Sequence, residues 1–286
     1  AIICRLLEKH GYRVGIIAQP DWHSTADFAR LGRPRLGFLV SSGNMDSLLN
    51  KFTAARKVRH EDAYSPGGRS GFRPDRAVIV YANRLRELWK DVPIIIGGIE
   101  ASLRRLAHYD YWSDSLRRSV LMDSQADLLI YGMGERQVLE IAAELHQDVA
   151  FGNIQDVRGT CFHVPNFDYI WDYEKLPSYD EVKQDKRVFA EAFKLEYLEQ
   201  DAVRGRRLAQ QNGDWCIVQN PPALPLTEAE MDEVYDLPYM RTYHPCYEAA
   251  GGIPAIRAVL FSLVCLRGFF VVCILYTIIK NKKQKK

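Results

Sequence analysis

The chain is predicted to be an α/β protein, a Rossmann-like doubly wound parallel sheet followed by a helical connector. Two short apolar runs and the sequence around them lead to that class. Ile94-Ile95-Ile96 runs into Gly97-Gly98, and Leu128-Leu129-Ile130-Tyr131 runs into Gly132-Met133-Gly134. Short β-rich runs, apolar on both faces and bounded by glycine, are the pattern of buried parallel strands. A helical pattern follows from Glu135 through Leu145. Strand, glycine turn, helix is the rhythm of a wound α/β sheet.

Taken in order, Ile2, Ile3, Leu6 and Leu7 are spaced for one helix face that ends at His10-Gly11. Tyr12 to Ala18 is expected to be a strand stopped by Gln19-Pro20. A strand should precede the first helix in such a unit, and the chain starts at Ala1 inside a helical pattern. We therefore expect that N-terminal sequence is missing. Leu36 to Val40 is the next strand, Met45 to Arg59 a helix with a basic face, and His60 to Pro74 a loop. Arg76 to Lys90 is a second helix, and Gly159 to Val164 a short strand closing a first domain, residues 1–165. Residues 166–256 form the connector. Ser178 to Gln211 is charged and helical, with Phe189, Phe193, Tyr197 and Leu198 at core spacing. Asn220 to Pro225 is extended because proline fixes φ. Thr227 to Glu230 is a capping box opening a helix. Ala255 to Leu266 is expected to be a strand. Residues 257–286 form the last segment, whose apolar run ends in a Lys-rich tail.

Composition narrows the function classes. The formal net charge is +2, which selects no partner. Six cysteines stand at 4, 161, 216, 246, 265 and 273 without a CxxC pair, so neither a zinc site nor a disulfide framework is expected. No signal-peptide pattern is present, and a cytoplasmic location is expected.

Several stretches carry two readings. Asp21-Trp22-His23 matches the start of the Asp-x-His-x-x-Gly motif whose His ligates a corrin cobalt, but Ala26 replaces the glycine, which favours a polar loop. Gly97, Gly98, Gly132 and Gly134 could cradle a phosphate or another ligand at strand ends. Equally, they could be tight turns with Glu100 and Glu135 set near helix dipoles. Residues 51–86 hold nine Lys/Arg against three Asp/Glu. Arg104, Arg105, His108, Tyr109, Tyr111, Trp112, Arg117 and Arg118 mix base and ring, a composition that suits RNA. Asp110, Asp114 and Asp123 make an internal salt-bridge network the competing reading. Residues 258–279 hold fourteen Val, Leu, Ile and Phe and one charge, Arg267. At about −0.3 to −0.6 kcal/mol each, these offset an Arg cost of about 2.5 to 3.5 kcal/mol, so a membrane span is energetically open. Its orientation conflicts, because the Lys tail and the preceding folded domain both prefer the cytoplasmic side.

Longer blocks resemble the YgiQ-type radical SAM family. They are residues 5–22, 53–68, 73–87, 92–136, 219–239 and 244–255, of which VPIIIGGIEASLRRLAHYDYWSDSLRRSVLMDSQADLLIYGMGER is the strongest. The resemblance runs from Ala1 to about Gly268. It implies a Rossmann-like N-terminal domain, a partial (β/α) barrel and a [4Fe-4S] cluster that reductively cleaves S-adenosylmethionine to a 5′-deoxyadenosyl radical. Three cysteines in a Cys-x3-Cys-x2-Cys loop would hold the cluster, because soft thiolates must bind three irons and leave the fourth open.

The family context resembles Arg-Gly-Cys-Phe-Gly-Gly-Cys-x-Phe-Cys, whereas this chain has Arg267-Gly268-Phe269-Phe270-Val271-Val272-Cys273-Ile274-Leu275-Tyr276. Only Cys273 falls on a ligand position, and Phe269 and Tyr276 replace the other two. The expectation is a chain with only the first barrel strand, truncated or frame-shifted near Gly268, with no catalytic residue and without cluster or cofactor binding. Two rivals are a stand-alone α/β module binding a corrin, nucleotide or RNA, and a protein tethered to a membrane through 258–279.

Overall fold

The computed structural model describes residues 1–259, which fall into two units. The larger comprises residues 1–58 and 73–237. Its elements begin with α1 (Ile2–Lys9), α2 (Ala26–Ala29), β1 (Phe38–Val40), α3 (Ser47–Lys51) and α4 (Ala77–Leu88). They continue with β2 (Ile94–Ile96), α5 (Gly98–Ser102), the small antiparallel pair β3 (His108–Asp110) and β4 (Ser115–Arg117), and α6 (Val120–Ser124). Then come β5 (Leu128–Ile130), α7 (Glu135–His146), β6 (Thr160–Val164) and β7 (Tyr173–Lys175). The unit ends with α8 (Tyr179–Gln184), α9 (Lys186–Leu198), β8 (Arg207–Asn212), β9 (Trp215–Gln219) and α10 (Glu228–Tyr235).

Seven strands form one sheet in the order β1-β2-β5-β6-β9-β8-β7. β1, β2 and β5 are mutually parallel, with Val40 opposite Ile96 and Ile96 opposite Leu129. Every residue of β2 and β5 is buried, which explains their unbroken apolar sequence. Ile94, Ile96 and Leu129 are fully covered, each such burial contributing about 1.5–3 kcal/mol. They join Val78, Ala82, Val120 and Leu121 in the core.

The α/β class therefore stands, and three expectations within it need correction. The sheet is mixed, not wholly parallel: β6 runs antiparallel to β5, and β9 antiparallel to both β6 and β8. The sheet also continues past residue 165, because β7, β8 and β9 all lie in the 166–256 segment. The helical reading of Ser178 to Gln211 ends early, at Leu198, and β8 begins at Arg207. Asn212-Gly213-Asp214 explains this. Gly213 takes φ +65° and allows a two-residue turn that closes the β8–β9 hairpin, with Asn212 opposite Trp215.

Smaller departures have local causes. No strand forms over Tyr12 to Ala18, where Ile16 is 62% exposed and so has no core to join. The helix expected over 45–59 stops at Lys51, since Phe52 turns extended and bridges to Val58. Phe193, Tyr197 and Leu198 are exposed rather than in the core.

The second unit joins residues 59–72 to the chain from 238 onward. The Gly67 N–H donates to the Gly252 carbonyl at 2.8 Å, and the Ala255 N–H to the Ala63 carbonyl at 2.9 Å. Where a strand was expected from Ala255, the chain is helical over α11 (Ile256–Val259). The rest of that expected strand lies outside the described residues, as do Phe269, Cys273, Tyr276 and nearly all of the 258–279 run. Among the described residues no helix is long and apolar enough to cross a membrane.

Candidate functional site at the carboxyl ends of the parallel strands

The two glycine pairs fall where the sequence placed them, at the carboxyl ends of β2 and β5. Level register brings these ends together beside Ser41, just beyond β1. The four glycines do different work. Gly98 has φ +80°, and a Cβ there would lie 3.3 Å from the Ser41 Cβ. A Cβ on Gly97 would lie 3.3 Å from the Ile130 carbonyl oxygen, and one on Gly134 would lie 3.1 Å from Ile130 Cγ2. These three positions allow close packing. At Gly132, with φ +72°, a Cβ would meet nothing within 4 Å, so this glycine borders free space.

Glu100 decides what the Gly-Gly-Ile-Glu turn does. Its side chain is buried, and its carboxylate accepts the Ser47 N–H at 2.8 Å and the Val78 N–H at 2.9 Å. These are early backbone donors of α3 and α4, groups that have no partner inside their own helices. Ser47 Oγ accepts the Ala77 N–H at 3.1 Å. Asp46 caps α3 by accepting from the Leu48 and Leu49 N–H groups, and it pairs with Arg104. Protein carboxylates thus hold the helix N-termini that a phosphate would otherwise favour.

The Arg-rich stretch after Glu100 is tied inward. Arg105 donates to Gln219 Oε1 at 2.6 Å, to the Ser102 carbonyl at 2.7 Å and to Glu196 Oε1 at 2.6 Å. Its guanidinium lies 5.1 Å from the Tyr131 ring centroid, and the Tyr131 hydroxyl donates to the Asn220 carbonyl at 2.6 Å. Burial raises the Glu196 carboxyl, with Arg105 opposing that shift. Arg76 pairs with buried Asp110, while Arg117 and Arg118 share Asp123. The internal salt-bridge reading accounts for Arg104, Arg105, Arg117 and Arg118. In the 51–86 stretch, Lys51 pairs with Asp75 and Arg86 with Asp127, and Arg56 stacks on Tyr111.

The histidines and cysteines of the described residues do not gather into one site. His108 Nδ1 is 3.0 Å from the Leu106 carbonyl, its Nε2 is buried without a partner, and burial pushes the ring down to about 4. At the opposite, amino end of β5, Asp127 accepts the Ile94 N–H at 2.8 Å and pairs with Arg86. There His163 and Trp215, edge to face at 4.9 Å, line a shallow open groove with Lys90 and Arg118. Cys161 is buried in β6, its thiol pushed up to about 12. Asp21 accepts from the His23 backbone N–H, and Trp22 stacks on His23 at 4.0 Å, which makes this stretch a local turn.

No group of three His, Cys, Asp or Glu among the described residues could hold a metal ion. Cys4, Cys161, Cys216 and Cys246 are all free thiols at separate places in the chain, so the described cysteines do not fit a [4Fe-4S] cluster. Sequence reasoning set Glu100 near a helix dipole but missed that its carboxylate serves the N-termini of α3 and α4. Its signal was a single acidic residue in an otherwise apolar and glycine-rich turn.

Comparison with known proteins places these features in a family context. A family model described as radical SAM N-terminal matches residues 1–262. A UPF0313 protein of Clostridium botulinum Type A is 56% identical over 273 residues, covering 96% of this chain and 42% of that one. A UPF0313 protein of Clostridium perfringens is 56% identical over 269 residues, covering 94% and 41%. The chain therefore spans about two fifths of the length of these curated relatives. No solved structure matches it.

Proposed function

The chain belongs to the radical SAM N-terminal family, of the YgiQ (UPF0313) type, and we propose that it supplies the α/β module of such a protein without itself cleaving S-adenosylmethionine. The observation that carries the second clause is the thiolate count. At the positions the family uses for its cluster the chain has Phe269, Cys273 and Tyr276, a single sulfur where three are needed. In the family, a [4Fe-4S] cluster would supply the electron that splits the sulfonium. The described cysteines offer no substitute set, since Cys161 and Cys216 are buried in separate strands. On this reading the chain's own residues build a framework. Glu100, Asp46 and Arg104 lock α3, α4 and α5 together. Arg105 ties the ends of β5 and β9 to α9.

Anaerobic reconstitution with iron and sulfide tests the proposal. The expected result is iron far below four per chain and no 5′-deoxyadenosine from S-adenosylmethionine under a strong reductant. Near-stoichiometric cluster with 5′-deoxyadenosine release would overturn it.

A second reading, in which the module binds a small ligand such as a corrin or nucleotide at the strand ends, is favoured by one feature. Gly132 alone of the four glycines faces open space. Titration with cobalamin and with ATP, read by absorbance and calorimetry against a Gly132→Val variant, tests it. Binding that the variant loses would support the site, and equal behaviour of the two proteins would remove it.

A further inference from the structure

Helix α9 is turned the wrong way round for an isolated module. Ala192 is its one buried residue, Leu195 packs partly against the core, and Glu196 points inward to Arg105. The rings are outside: Phe193 and Tyr197 are 58% and 57% exposed. They lie one turn apart and so share a side of the helix, with half-buried Phe189 a further turn back. A surface helix normally turns such a stripe to the core and its charges to water. Here the stripe at i, i+4 and i+8 faces out, which is why its core spacing in the sequence has no core to match it. Exposed Lys186, Arg187, Glu191 and Lys194 flank it with mixed charge. An aromatic centre with a polar, charge-mixed rim is the composition of an interface rather than of a solvated face.

The relatives carry further chain that such a face could receive. The match takes in 96% of this chain but only 42% of the Clostridium botulinum relative. More than half of that relative is further chain joined to the same module. We propose that the Phe189–Phe193–Tyr197 face of α9 is the docking surface for the additional region carried by the longer UPF0313 relatives. The residues involved are separate from those of the cluster argument, so this proposal and the functional reading can fail independently.

Hydroxyl-radical footprinting read by mass spectrometry tests it. Three proteins are compared: this full chain, the full-length Clostridium botulinum relative, and a chimera in which residues 1–256 of this chain replace the relative's matched region. The expected result is that oxidation of Phe193 and Tyr197 slows roughly tenfold in the chimera, as for side chains at a desolvated interface centre. The aligned helix of the relative should be equally protected. Unchanged reactivity in the chimera would overturn the proposal, and should the chimera not fold, a reactive helix in the relative would do so by itself. Protection within this chain that grows with its concentration would assign the face to a second copy, which also overturns it. A Phe193→Asp/Tyr197→Asp variant should leave the melting temperature of this chain unchanged and lower that of the chimera. A large loss in this chain alone would show that the rings belong to its own core.

Discussion

Replacing Glu100 should be among the most damaging single changes outside the apolar core. The side chain is 1% exposed, and its two oxygens satisfy the Ser47 and Val78 N–H groups at 2.8 and 2.9 Å. Glu100→Ala leaves both donors buried and without an acceptor, at about 1–3 kcal/mol each, so the expected loss is about 2–6 kcal/mol. Against a typical stability of about 5–15 kcal/mol, that loss shifts the unfolding midpoint strongly. Glu100→Gln retains one acceptor oxygen and should lose about half as much. Urea unfolding of the full chain, followed by circular dichroism, measures both. A Glu100→Ala loss below about 1 kcal/mol, or a Glu100→Gln loss equal to that of Glu100→Ala, would refute the double-cap reasoning.

Three more claims are measurable. Burial holds the His108 ring at about 4, below its ordinary value of 6.5, so the folded state binds fewer protons than the unfolded one. Stability should therefore fall as pH drops from about 6.5 to about 4, by up to about 3 kcal/mol. His108→Leu should flatten that part of the urea-midpoint profile, and identical pH slopes would sink the assignment. Arg105→Leu strands Glu196, whose carboxyl is already raised by burial. For a raised acid the cost grows as pH climbs through the ordinary glutamate range and is complete above the folded value. The variant should thus lose about 3 kcal/mol at pH 8 and distinctly less at pH 4, measured by the same unfolding assay. Finally, Gly98→Ala must bear left-handed strain and crowd Ser41, whereas Gly132→Ala bears the strain alone. Both should lower stability by about 1–2 kcal/mol in thermal melts, Gly98→Ala by the larger amount, and the reverse order would contradict the packing described for these turns.

Local pattern alone specifies several parts of this protein. β2 and β5 are unbroken apolar triplets ending in glycine, and a central parallel strand is the conformation that buries both of their faces. α4, α7 and the capping box of α10 are set by periodicity and by side chains acting within four residues. The thiolate count at 269, 273 and 276 is likewise a property of sequence alone. Other features depend on residues distant in the chain, and only the folded arrangement decides them. The backbone donors that Glu100 satisfies lie 53 and 22 residues away, so no local window could assign its role. The direction of β6 and the addition of β7, β8 and β9 to the same sheet depend on pairing across long separations, although the Asn212-Gly213 turn was a legible sign of the hairpin. Helix α9 shows the limit most clearly. Its spacing of rings determines which residues share a face, but whether that face meets a core or solvent depends on what chain is present to cover it.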